Sequence, residues 1–155
     1  MAPMSTPTPP LPALRLVVGH DGSPPANRAL DAAVALLRGR TGHIDVMYVA
    51  HLTSTVMMSA DAVAEMDTDF DEVETELRAL AAEKLSSSGL DWSFGRRQGA
   101  IAEELIIVAS AISEEHPGDT VVIVVGSSSN ALHRMVGSVA VSLARRSQVP
   151  LVVVP

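Results

Sequence analysis

Short apolar runs alternate with longer apolar stripes along this chain. Leu14-Arg15-Leu16-Val17-Val18-Gly19 is a run closed by His20-Asp21-Gly22-Ser23-Pro24-Pro25. This predicts a buried strand and a turn, with Ser23 as the N-cap of a helix and Pro24 at its first position. Residues 26–38 then place Ala29, Leu30, Ala33, Leu36 and Leu37 on one helical stripe, which Gly39 and Gly42 end. A second strand is expected over 43–50, through Ile44, Val46, Met47, Tyr48 and Val49. A polar, Met-containing connection follows. The next helix is expected to start at Asp61 or Asp67 and to run to Leu85. Its apolar face passes through Phe70, Val73, Leu77, Leu80, Ala81 and Lys84, and Ser86-Ser87-Ser88-Gly89 stops it.

Leu90, Trp92 and Phe94 alternate over 90–97, the pattern of a shorter strand. Ile101, Leu105, Ile106, Val108, Ala109 and Ile112 mark a helix over 99–115, broken by His116-Pro117-Gly118. Thr120-Val121-Val122-Ile123-Val124-Val125 is a fourth strand, followed by the small-residue loop Gly126-Ser127-Ser128-Ser129-Asn130. After the insert Ala131-Leu132-His133-Arg134-Met135-Val136, Gly137-Ser138-Val139 opens a helix to Arg146, and Pro150-Leu151-Val152-Val153-Val154 is a last strand.

Strand and helix thus alternate four times before a final strand. That period predicts a parallel sheet with helices on both faces and right-handed crossovers. Ligands in such open sheets sit at the carboxyl ends of the strands, where strand order reverses. If the first and fourth strands are neighbours, His20-Asp21-Gly22 and Gly126-Ser127 face one crevice. A strand, a glycine loop and a Gly-Ser helix start suit an anion, because first-turn N–H groups point outward and the helix dipole adds positive charge there.

Composition narrows this picture. With 155 residues, 47% hydrophobic and 19% charged, the chain can build one globular core. Aromatics are only 3%, so the core is built from Val, Ala and Leu. A net charge of −7 argues against a general nucleic-acid partner. Without cysteine there is no disulfide or thiolate site, which fits the cytoplasm. Residues 1–13, with Pro3, Pro7, Pro9, Pro10 and Pro12, read as a flexible tail before a domain over 14–155. No apolar run reaches membrane-spanning length, so no membrane partner is expected.

From Leu14 to Pro155 the chain resembles the universal stress protein family. The resemblance rests on Val17-Val18-Gly19-His20-Asp21-Gly22-Ser23, on the order of elements, and on Val124-Val125-Gly126-Ser127, Val136-Gly137-Ser138-Val139 and Val149-Pro150-Leu151-Val152-Val153-Val154. It implies an α/β fold: an open five-stranded parallel sheet of order 3-2-1-4-5 with helices on both faces, the adenine nucleotide alpha hydrolase-like arrangement. It further implies a stress-response role and, in many members, ATP or another adenine nucleotide as ligand, with magnesium as a candidate companion. It also implies a homodimer formed through Leu151–Val154, which as a sheet edge would otherwise expose unpaired backbone groups. Cover of that strand by the N-terminal tail is the alternative.

ATP-binding members carry a G-x2-G-x9-G-[ST] loop. Gly126 matches its first glycine and Gly137-Ser138 its last pair, while Ser129 stands at the middle glycine. The interval 137 − 126 = 11 is two short of the family's 13. A Ser visits positive φ less freely than Gly, and its Cβ hinders close approach of a phosphate. His133 and Arg134 lie inside the shortened insert, where an Arg supplies charge-assisted bonds to phosphate. Ser127, Ser129 and Ser138 add hydroxyls.

The resemblance places Asp21 near adenine and ribose; the plainer reading is that it shapes the turn. Val49 and Val125 fall at apolar contacts of the base, with plain core valines as the alternative, and Val139 contributes a backbone amide. The histidines lack metal-ligand spacing, and no nucleophile–base constellation is visible, so slow ATP hydrolysis is the most catalysis expected. A non-nucleotide dimerisation or interaction module of the same family is the competing function. Asp61, Glu65, Asp67, Asp69, Asp71, Glu72, Glu74 and Glu76 form an acidic segment with no Lys or Arg. A solvated helix start explains it; a lid or a face for a basic partner is the functional alternative.

Overall fold

The computed structural model describes residues 11–51, 59–127 and 137–155. In chain order the elements are β1 (Leu14–Gly19), α1 (Pro24–Leu37), β2 (Gly42–Ala50), α2 (Ala60–Leu85), β3 (Asp91–Gln98), α3 (Ile101–Glu115), β4 (Thr120–Gly126), α4 (Ser138–Arg146) and β5 (Leu151–Val154). All strand pairs are parallel and the sheet order is β3-β2-β1-β4-β5. The fold expected from the alternation and the resemblance is therefore the fold observed.

The central strands owe their place to being apolar on both sides. In β1, Leu16 and Val18 face one layer and Val17 the other, and all three are fully buried. The first layer packs Ala29, Leu30, Ala33 and Leu37 of α1 and Ala81 and Leu85 of α2 against the sheet. The second packs Ala102, Leu105 and Ala109 of α3 with Ala140 and Leu143 of α4. Each fully buried leucine contributes roughly 1.5–3 kcal/mol by leaving water.

Several stripe positions come out differently from their periodicity. Leu36 of α1 is 41% exposed, and Val73 and Leu80 of α2 are 38% and 42% exposed. They are not among the residues that pack into either apolar layer. Gly39 has positive φ and ends α1 as expected, but Gly42 is the first residue of β2. A Cβ at Gly42 would collide with the Leu14 carbonyl, so its role is close strand approach. Helix α3 begins at Ile101 and not at Gly99, whose carbonyl instead meets His51 Nδ1 at 3.2 Å.

Helix α2 has 26 residues, about 39 Å at ~1.5 Å per residue. Its buried residues are Leu77, Ala81 and Leu85, all in the carboxyl-terminal third. Leu77 lies against Gly22, in the turn at the end of β1, where an added Cβ would meet its Cδ2 at 2.8 Å. The helix runs antiparallel to the strands, so its amino-terminal half continues past the carboxyl edge of the sheet.

Candidate functional site

β1 and β4 are neighbours, and α1 and α4 are the helices that follow them in the chain. This is the point where strand order reverses, and a crevice opens there with a cavity of about 250 Å³. One wall is apolar: Met47 and Val49 from β2, Val125 from β4, Ile101 and Leu105 from α3. The rim toward α1 carries His20, Asp21 and Ser23. The rim toward α4 carries Gly126, Ser127, Gly137, Ser138, Val139 and Ala140.

The β1–α1 turn satisfies itself. Ala26 N–H donates to Ser23 Oγ at 3.3 Å, the N-cap bond the sequence predicts. Ser23 N–H donates to Asp21 Oδ1 at 3.0 Å, so Asp21 does shape the turn, while its exposed carboxylate also borders the crevice. His20 is the one buried polar residue among the described residues. Its backbone N–H extends the β1–β2 pairing to Met47 O at 2.9 Å. Asn27 donates its amide to Gly22 O at 3.4 Å, which turns Asn27 Oδ1 toward His20 Nε2 at 3.1 Å. That pairing makes Nε2 the protonated nitrogen and leaves buried Nδ1 without a partner among the described residues. Burial pushes the His20 pKa below its ordinary value, with the Asn27 bond and nearby Asp21 opposing and Lys84 assisting more weakly.

The β4–α4 turn is finished differently. The N-cap of α4 is Gly137, which offers no side-chain acceptor, and the first turn holds no carboxylate. The first ladder bond is Val141 N–H to Gly137 O at 3.0 Å, so the Ser138, Val139 and Ala140 amides precede the helical ladder. They stand at the crevice, and among the described residues the first turn sets no carboxylate against the positive end of the helix dipole. By contrast α3, also uncapped, holds Glu103 and Glu104 in its first turn, paired with Arg146 and Arg97.

Of the sequence-selected residues, the structure gathers Asp21, Val49, Val125, Gly126, Ser127, Gly137, Ser138 and Val139 around this one cavity. Ser129, His133 and Arg134 lie outside the described residues. Two roles change in detail. Ser127 N–H is committed to Val154 O at 2.7 Å, which leaves its hydroxyl for any ligand. A Cβ on Gly126 would collide with the Pro25 carbonyl, so this glycine serves the packing of α1 on β4. Met47, Ile101 and Leu105 line the same cavity although the sequence marks them only as fold residues; their burial masks any site signal.

The cavity combines an apolar slot, one carboxylate and a run of backbone donors. Among the described lining residues there is no Lys or Arg. Such a site suits a flat apolar group against Met47 and Val49, a hydroxylated group near Asp21, and an anion at the start of α4. Among the described residues no cluster of three His, Asp or Glu side chains is placed to hold a metal. No described helix is long and apolar enough to cross a membrane.

The family model described as the Universal stress protein family matches residues 13–155. No curated protein matches the chain. Solved structures are similar in fold. A universal stress protein from Lactobacillus plantarum shares 19% identity at a TM-score of 0.74, covering 93% of this chain and 99% of that one. A universal stress protein in complex with cAMP shares 23% identity at a TM-score of 0.61, covering 92% and 97%. A family protein from Arabidopsis thaliana with AMP bound shares 14% identity at a TM-score of 0.57, covering 91% and 90%.

Proposed function

The chain belongs to the universal stress protein family, and from that premise we propose that it binds an adenine nucleotide in the crevice between β1 and β4 as part of a stress response. The observation that carries this reading is the open amino terminus of α4, uncapped and without a carboxylate, facing a crevice whose opposite wall is apolar. Adenine packs between Met47, Val49 and Val125, the ribose hydroxyls donate to Asp21, and phosphate accepts from the Ser138, Val139 and Ala140 amides, with the Ser127 and Ser138 hydroxyls beside them. His133 and Arg134 are the proposed cationic contacts. The relatives solved with cAMP and with AMP support an adenine ligand of this size.

Hydrolysis is proposed to be at most slow, since among the described lining residues no serine hydroxyl is paired with His20 or Asp21 as a nucleophile with its base. The homodimer is proposed through β5, whose outer side is a sheet edge, by antiparallel pairing with the β5 of a second copy. A second reading, a dimerisation module without nucleotide, is favoured by the loop that is two residues short.

Calorimetric titration with ATP, ADP, AMP and cyclic AMP, with and without magnesium, separates the two. Saturable binding lost in Arg134→Ala supports the nucleotide site with its cationic contact. Absence of binding across the set supports the interaction module.

A further inference from the structure

Val63, Met66, Phe70, Val73, Leu77 and Leu80 fall on α2 at alternating steps of three and four. That is the seam of a two-helix coiled coil, with Val63, Phe70 and Leu77 at a positions and Met66, Val73 and Leu80 at d. Leu77 is consumed by the protein's own core, whereas Val63 is 49% exposed, Val73 38% and Leu80 42%. Among the described residues, none of Val63, Met66, Phe70 and Val73 packs into either apolar layer of the sheet. The seam therefore continues past the domain that α2 helps to build.

Over residues 67–76 the positions flanking that seam, e and g, are Asp67, Asp69, Glu74 and Glu76, all acidic, with Ala62 and Ala81 at the outermost g and e. Asp61, Glu65, Asp71 and Glu72 extend the same sign. On one flank Asp71 and Glu74 pair with Arg96, and Glu74 with Arg78. Asp67, Asp69 and Glu76 form no ion pair within 4.0 Å among the described residues, Asp67 acting on Arg96 only from a distance. In paired helices the e and g charges choose the partner. A second copy would set like charges along both flanks, and an anionic membrane surface would be repelled.

We propose that the amino-terminal half of α2 is a docking surface for a basic amphipathic helix of a partner protein, with apolar residues at its a and d positions and Lys or Arg at e and g. The seam spans about two heptads, so the complex is of the weak, transient class. It lies on α2, apart from the crevice, and does not depend on nucleotide.

Fluorescence anisotropy with the full chain and three labelled three-heptad peptides tests this. One carries Leu and Ile at a and d with Lys at e and g. The second replaces those lysines by Glu. The third keeps the lysines but has Ser at a and d. The Lys peptide is expected to bind saturably and the other two not. In Val63→Asp/Val73→Asp the affinity is expected to fall by at least about tenfold. Both valines are exposed, and an unchanged thermal melt confirms the fold. In Asp67→Lys/Asp69→Lys/Glu76→Lys the preference is expected to pass to the Glu peptide, which rescues binding through the same seam. Equal binding of the third peptide, retained affinity in the double Asp variant, or no binding of the Lys peptide overturns the proposal. Sedimentation showing that the double Asp variant dissociates a wild-type dimer overturns it in favour of a second copy.

Discussion

At the switch point the two neighbouring strands β1 and β4 each pass into a helix, and the two steps are completed in opposite ways. At β1–α1, Ser23 caps the helix, Asp21 accepts from Ser23 N–H, and Asn27 fastens both Gly22 and His20. At β4–α4, a glycine occupies the N-cap and the first-turn amides have no side-chain acceptor from it. The first turn is a piece of scaffold. The second leaves donors for something outside the helix, and a crevice lies in front of them. Under the proposed function, backbone groups without side-chain partners among the described residues mark the binding end.

Substitutions can break this contrast or sharpen it. The largest effect is expected at Gly126, which touches both steps. Gly126→Val drives a side chain into the Pro25 carbonyl and is expected to cost about 3 kcal/mol or more, read as a lowered urea midpoint. A stability unchanged from wild type would mean that α1 and β4 are not packed as described.

Next is Gly137→Asp. Gly137 has φ −61° and ψ 160°, backbone that any residue adopts. An Asp there caps α4 and puts a carboxylate where phosphate is proposed. Affinity for nucleotide is expected to fall by at least about tenfold while the melting temperature holds or rises slightly. Loss of stability together with affinity would remove the distinction between capping and binding.

Ser23→Ala is the mirror experiment. It is expected to cost about 1 kcal/mol of stability and to leave nucleotide affinity unchanged, because the α1 start donates inward. A large loss of affinity would mean that the cap of α1, and not Asp21 alone, holds the ligand.

The smallest effect concerns His20, in the same turn. Burial holds its folded pKa below the unfolded value of 6.5. The unfolded chain therefore binds more protons just below that pH, and stability declines as pH falls through about 6.5. His20→Gln keeps a donor for Asn27 Oδ1 and is expected to flatten this part of the stability–pH curve. An unchanged slope would show that His20 takes up its proton without unfolding.

The contrast between the two turns also marks what the sequence could disclose. Strand β1 and the Ser23-Pro24 start of α1 were legible because each local signal has a single structural outcome. Asp21, Val49, Val125 and Gly137-Ser138 could be nominated because the alternation of elements brings strand ends together at a switch point. The commitment of Ser127 N–H to Val154 O was not legible, since it depends on where β5 ends against β4. Nor was the Gly126–Pro25 contact, because a glycine that admits a phosphate and one that admits a helix read alike. Period alone puts Leu36, Val73 and Leu80 on apolar faces, yet all three are exposed. Periodicity gives the angle of a residue around its helix, not how far the opposing surface extends. For the same reason the projection of α2 beyond the sheet emerged only from the position of Leu77 against Gly22.

The central claim is that the open amides of α4 receive the anionic end of the ligand. Amide NMR of the 15N-labelled chain titrated with AMP tests it most directly. The prediction is saturable shifts at Ser138, Val139 and Ala140, with Asn27 and Arg28 in α1 nearly still. Saturable binding that moves the α1 amides and leaves those of α4 unchanged would contradict it.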